Sequence, residues 1–144
     1  MPRTMRLFTA LAFAAALVSM TFAQSGRQIF GADATRPFSA AAKAGGLIYI
    51  AGTIGADANN KGDVKAQTKQ TLETIDKTLK AAGSSLANVA STMVYLRNAA
   101  DFAAMNEVYA DRFGTHRPAR STVQVAKLPG SGGRVEIECI AFRR

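Results

Sequence analysis

The sequence predicts an α+β domain: a mixed β-sheet with two helices packed on one face. Three observations predict it. Segments with strand-like alternation or β-branched runs recur along the chain. Two segments between them carry apolar residues at helical spacing. The overall composition, 48% hydrophobic and 19% charged, is that of an ordinary globular protein. A length of 144 residues fits one such domain.

The elements follow in order. Residues 1–23 read as a secretory signal peptide. Arg3 and Arg6 supply the positive start, Leu7 to Met20 is nearly all apolar, and Thr21-Phe22-Ala23 places small residues where a signal peptidase reads. Cleavage is expected after Ala23, giving an exported protein, periplasmic or secreted. The apolar run is short and Ala-rich for a span of about 20 residues, so no stable membrane anchor is expected. Residues 24–144 form the folded domain. Arg36-Pro37 marks an extended or turn segment, Gly45-Gly46 a turn, and Leu47 to Gly52 a strand. Ala56 to Asp63 is a loop. Asp63 caps a helix whose Val64, Thr68, Leu72, Ile75 and Leu79 share one face, and Gly83 stops it. Val89 to Arg97 is a second strand. Asp101 caps a second helix through Phe102, Met105, Val108 or Tyr109, Arg112 and Phe113, ended by Gly114. Ser121 to Lys127 and Arg134 to Phe142 alternate and read as a hairpin with a loose connection through Leu128–Gly133. The predicted order is β–β–α–β–α–β–β.

Charge and cysteine content narrow the chemistry. Loss of residues 1–23 removes two arginines and no acid, so the formal charge falls from +8 to +6. This favours anionic partners in general, but there is no basic run or nucleic-acid motif, and no nucleic acid is expected as partner. One cysteine, Cys139, leaves no intrachain disulfide. One histidine, His116, and one cysteine make no metal set. No metal or organic cofactor is expected.

Glu136 and Glu138 lie two apart on a strand and share a face with Ile140 and Phe142, while Val135, Ile137, Cys139 and Ala141 take the other. If helices cover the second face, the first is covered by something else, and a second subunit is the simplest cover. Acids on such a surface need partners, and Arg120, at the start of the neighbouring strand, is the natural one. A structural salt bridge is the plain alternative to a catalytic role.

The run Pro118-Ala119-Arg120-Ser121-Thr122-Val123, then Leu128-Pro129, then Val135-Glu136-Ile137-Glu138 resembles the C-terminal signature of the RidA family of reactive-intermediate (enamine/imine) deaminases. Arg36-Pro37-Phe38-Ser39 with Lys43-Ala44-Gly45, Leu47 to Gly52, Ala82 to Leu86, Asp101-Phe102 and Asn106 to Tyr109 agree, so the resemblance spans residues 30–143. It implies a chorismate-mutase-like α+β fold. It implies a homotrimer with active sites between subunits. The implied reaction is cofactor-free hydrolysis of a small 2-imino acid, with its enamine tautomer, to a 2-oxo acid and ammonia. Carried over by position, Arg120 would clamp the substrate carboxylate and Glu136 would activate water. Gly52, Ala51, Thr53 and Thr122 would offer backbone contacts, and Asn106 a polar contact near the site. Phe38 keeps the ring usual at its position and lacks the hydroxyl. Thr53 stands where glutamine is common. The other readings are a trimer on the same scaffold that binds small carboxylates or a protein without turnover, and, behind both, a ribonuclease.

Overall fold

The computed structural model describes residues 26–143; the signal-peptide reading falls on residues outside it. Eight main elements follow in order: β1 (Gln28–Ala32), β2 (Ser39–Ala44), β3 (Leu47–Thr53), α1 (Val64–Ala81), β4 (Val89–Leu96), α2 (Phe102–Phe113), β5 (Ala119–Gln124) and β6 (Val135–Phe142). Single 3₁₀ turns, Leu86–Asn88 and Ala99–Asp101, precede β4 and α2. The six strands form one sheet in the order β1-β2-β3-β6-β4-β5. All neighbours are antiparallel except β4 and β5, which run parallel.

Both helices form where their apolar spacing places them. Asp63 caps α1, accepting from the Ala66 amide at 3.0 Å. Val64, Thr68, Leu72, Ile75 and Leu79 are all buried against the sheet. Gly83 ends the helix at φ +83°, a backbone region unfavourable to other residues. Met105, Tyr109 and Phe113 form the buried stripe of α2. The core lies between these stripes and one face of the sheet, where Ile48, Ile50, Val94, Leu96, Val135, Ile137, Cys139 and Ala141 point. The expected α+β class, a mixed sheet with two helices on one face, is what the chain adopts.

Three expectations are corrected. The sheet has a strand more than the sequence suggested, because Ser39–Ala44 (SAAAKA) pairs on both edges despite its alanines. A tight turn at Gly45 and Gly46, both at positive φ, folds it onto β3. The last two strands do not form a hairpin. β5 joins β4 in parallel, with α2 as the crossover such pairing needs, and β6 fills the gap between β3 and β4. Asp101 makes no side-chain cap for α2. It instead accepts two hydrogen bonds from Arg134, at 2.7 and 2.9 Å, while Asn98 caps the preceding 3₁₀ turn through the Ala100 amide.

Candidate functional site

The register of β5 decides where Arg120 points. Thr92 pairs with Arg120 and Val94 with Thr122, so Arg120 and Thr122 share the helix-covered side. There the guanidinium carbon sits 4.6 Å from the Tyr109 ring centre and 5.7 Å from that of Phe102. This cation–π seat holds the fork in place while leaving its N–H groups free for an anion. Tyr109 is fixed in turn by a 2.7 Å bond between its hydroxyl and that of Thr92. Burial raises the Tyr109 phenol above its ordinary pKa, so it stays neutral. A cavity of about 440 Å³ opens beside Arg120, lined also by Asn106, Tyr109, Phe113, Arg117 and Pro118. No carboxylate lines it. Among the described residues Arg120 makes no salt bridge. The Thr122 hydroxyl is buried without a partner.

Glu136 lies on the other side of the sheet. It pairs in register with Tyr95, and Glu138 with Met93, on the face away from the helices. Burial, and behind it the charge of Glu138, raises the Glu136 carboxyl above the usual range. The Tyr95 hydroxyl donates to Glu138 at 3.4 Å. The end of β3 closes on Glu136. The register slips between Ile50 and Thr53, and the Thr53 hydroxyl turns back to the Ala51 carbonyl at 2.9 Å. A side chain at Gly52 would collide with Glu136 Oε1. Gly52 is thus a notch that leaves the carboxylate room, with the backbone of Ala51 and Thr53 beside it.

The sequence residues therefore fall into two groups. Arg120, Thr122 and Asn106 gather against α2; Glu136, Gly52, Ala51 and Thr53 gather on the open face. Phe38, just ahead of β2, is 55% exposed. The expected pairing of Arg120 with the glutamates does not occur within one chain. Glu136 is level with Val123 across β4. Arg120 is therefore two strand spacings away, about 10 Å, a further ~10 Å along the strand, and on the opposite face. The seat that Tyr109 provides was missed by sequence reasoning, although its spacing of three from Asn106 on one helix carried the signal.

The remaining candidates are structural. The His116 ring donates from Nε2 to the Val89 carbonyl at 2.8 Å, tying the chain before β5 to β4. Cys139 faces the core, where burial pushes its thiol up to about 12.

Known proteins share this fold. The chain matches the Endoribonuclease L-PSP family over residues 30–143. It is 49% identical to a RutC family protein of Pyrococcus horikoshii over 111 residues, 74% of this chain and 87% of that one. It is 40% identical to human 2-iminobutanoate/2-iminopropanoate deaminase, over 74% of this chain and 80% of the relative. Among solved structures, a Mycobacterium tuberculosis member of the YjgF/YER057c/UK114 family superposes with a TM-score of 0.74 at 33% identity, covering 81% of this chain and 99% of that one. The sheet order, the arginine on β5 and the glutamates on β6 thus sit in a chain that belongs to the Endoribonuclease L-PSP family, the YjgF/RidA group.

Proposed function

We propose that this protein hydrolyses small reactive 2-imino acids, and their enamine tautomers, to 2-oxo acids and ammonia. One observation carries the reading. Arg120 opens on a cavity free of carboxylates, while Glu136, its carboxyl raised by burial, stands beside a notch in the backbone. The first suits a substrate carboxylate. The second suits a base, since a carboxylate disfavoured by burial takes up a proton more readily than an ordinary glutamate. A relative at 40% identity is named for the same chemistry.

The two halves face opposite sides of one sheet, so the reading requires a second copy. We take the assembly to be a homotrimer in which the Arg120 side of one subunit meets the Glu136 side of the next. The open face supports this, since Tyr49, Val123 and Phe142 expose 45%, 38% and 56% of their surfaces on it. In the assembled site Arg120 binds the carboxylate. Glu136 takes a proton from water as the water oxygen bonds to C2 of the imine. The imine nitrogen takes one proton from solvent as C2 is attacked, and protonated Glu136 returns a second to it. The C2–N bond then breaks, ammonia leaves, and the hydroxyl gives its proton back to solvent as the carbonyl forms, with Glu136 ionised again. Holding both partners in one cleft makes the attack effectively intramolecular. In this reading Arg120 supplies the binding and Glu136 the proton transfer, with no metal or organic cofactor. The N-terminal 23 residues direct export, with cleavage after Ala23, so the reaction belongs outside the cytoplasm in this reading.

The test generates imines with an amino-acid oxidase and traps what remains with semicarbazide. Wild type is expected to lower the trapped product, and Arg120→Ala and Glu136→Gln to match the no-enzyme control. Wild type indistinguishable from the control on several imines would end the deaminase reading; 2-oxo acid binding in that case would leave a carboxylate-binding trimer. N-terminal sequencing of exported protein tests the cleavage, which is expected to start the chain at Gln24.

A further inference from the structure

Arg120 is not the only guanidinium at its cavity. Arg117, three residues earlier and separated from it by Pro118 and Ala119, lines the same space of about 440 Å³. Its other lining groups are the Asn106 amide, aromatic and small residues, and backbone, with no Asp or Glu among them. Arg117 forms no salt bridge among the described residues. The acids on the same helix are committed or turned elsewhere. Glu107 pairs with Lys65 at 2.6 Å, and Asp111 lines a separate groove between the helices. Two guanidiniums lining one cavity with no acid among them make it a site for an anion of matching charge. A monocarboxylic imino acid neutralises one guanidinium and leaves the second uncompensated.

We propose that the preferred substrate carries a second carboxylate, so that Arg120 holds the carboxylate next to the imine and Arg117 holds the one at the far end of the side chain. The class is the imines of acidic amino acids, 2-iminosuccinate and 2-iminoglutarate. The inference rests on the deaminase reading above and adds a specificity residue to it. Arg117 suits this role through its donors, which bind a carboxylate in two parallel hydrogen bonds. Its side chain is exposed in the free subunit, at the mouth of the cavity rather than its floor. Asn106, which also lines the cavity, is left to bond the imine nitrogen or the intervening chain. Hydrolysis follows the same balance as before: water oxygen to C2, the C2–N bond broken, ammonia released and the 2-oxo dicarboxylate retained.

The experiment compares two imines on the full chain. An oxidase selective for acidic amino acids supplies 2-iminoglutarate, and a general amino-acid oxidase supplies 2-iminobutanoate. Semicarbazide reports both. A second, charge-assisted contact is expected to favour 2-iminoglutarate in kcat/KM by about tenfold or more. Arg117→Ala is expected to collapse that ratio toward one, and Arg117→Lys to restore part of it. A wild-type preference for 2-iminobutanoate, or a ratio that Arg117→Ala leaves unmoved, overturns the inference while leaving the deaminase standing. Calorimetry with 2-oxoglutarate and 2-oxobutanoate separates the two readings. If neither imine is hydrolysed yet 2-oxoglutarate binds about tenfold tighter and Arg117→Ala removes the difference, the dianion site stands and deamination falls. If the two 2-oxo acids bind alike, the dianion site falls.

Discussion

Glu136 holds its proton to higher pH than a free glutamate because burial and the neighbouring Glu138 both disfavour its charge. Two consequences follow, with opposite signs. A base must be ionised to act, so kcat/KM is expected to fall as pH drops through the raised pKa. Glu138→Gln removes one of the two causes and is expected to move that acid limb to lower pH, read from a pH–rate profile. For folding, the raised pKa means that the native state binds this proton more tightly than the unfolded chain. Its contribution is complete below the unfolded glutamate pKa and is lost as pH rises through the folded value. Glu136→Gln is therefore expected to melt higher than wild type at neutral pH while losing activity. Gly52→Ala separates position from stability in the same place. The new methyl meets only the far end of the Glu136 side chain, so the carboxylate moves and the fold does not. We expect about a tenfold or greater loss in kcat, with the melting temperature nearly unchanged. Arg120 and Glu136 stand out in the sequence by charge on alternating strands, which alone suggests an ion pair; the proposed roles in carboxylate binding and base chemistry come from the family resemblance. Their placement was not legible. Alternation along β5 separates Arg120 and Thr122 from Val123, but only pairing to β4 tells which set meets the helices. Here the valine faces outward and the arginine inward, the reverse of what hydropathy alone suggests.

Single contacts decide how the elements dock. Gln67, on α1, is fully buried and fully bonded. Its amide donates to the Asn60 and Gly132 carbonyls at 3.1 and 2.9 Å and accepts from the Arg134 amide at 2.8 Å. It therefore holds both the loop before α1 and the loop before β6 to the helix. Gln67→Leu keeps the volume and strips three partners at once. It is expected to cost about 2–4 kcal/mol in urea unfolding. Gly55 packs directly against the backbone of that helix. A methyl there would lie 2.5 Å from the Gln67 carbonyl and 2.6 Å from the Thr71 amide. These atoms are backbone and do not yield, so Gly55→Ala is expected to destabilise by about 2–3 kcal/mol. The helices were readable in advance because a period of 3.6 shows over many turns and their stops are glycines. β2 was not, since SAAAKA has little strand preference of its own and is held by β1 and β3 on its two sides. The false hairpin has a similar origin. Alternation identifies a strand, whereas its neighbour is chosen by the crossover helix.

The division of the site between two faces of one sheet makes a prediction about the assembly. Arg120→Ala and Glu136→Gln are each expected to be inactive alone. Unfolded and refolded together in equal amounts, they are expected to recover about a quarter of wild-type activity, because that share of random interfaces joins an intact arginine to an intact glutamate. A site contained within one chain recovers nothing. Sedimentation of a Phe142→Glu variant checks the same face: the charge is expected to lower the assembled mass and the activity together. The proposed trimer rests on the resemblance, with support from four residues of β6 that alternation places on one face. What covers that face is not written in a single chain's pattern.

Cys139 adds a consequence of another kind. Its side chain is 4% exposed, and with the thiol pushed up to about 12 only about one molecule in ten thousand carries a thiolate at pH 8. The native protein is expected to resist iodoacetamide and to react only when denatured. With no second thiol to join and this one out of reach, oxidants and reductants have little to act on. The fold is indifferent to redox compartment, and the same molecule can keep its shape on either side of a membrane.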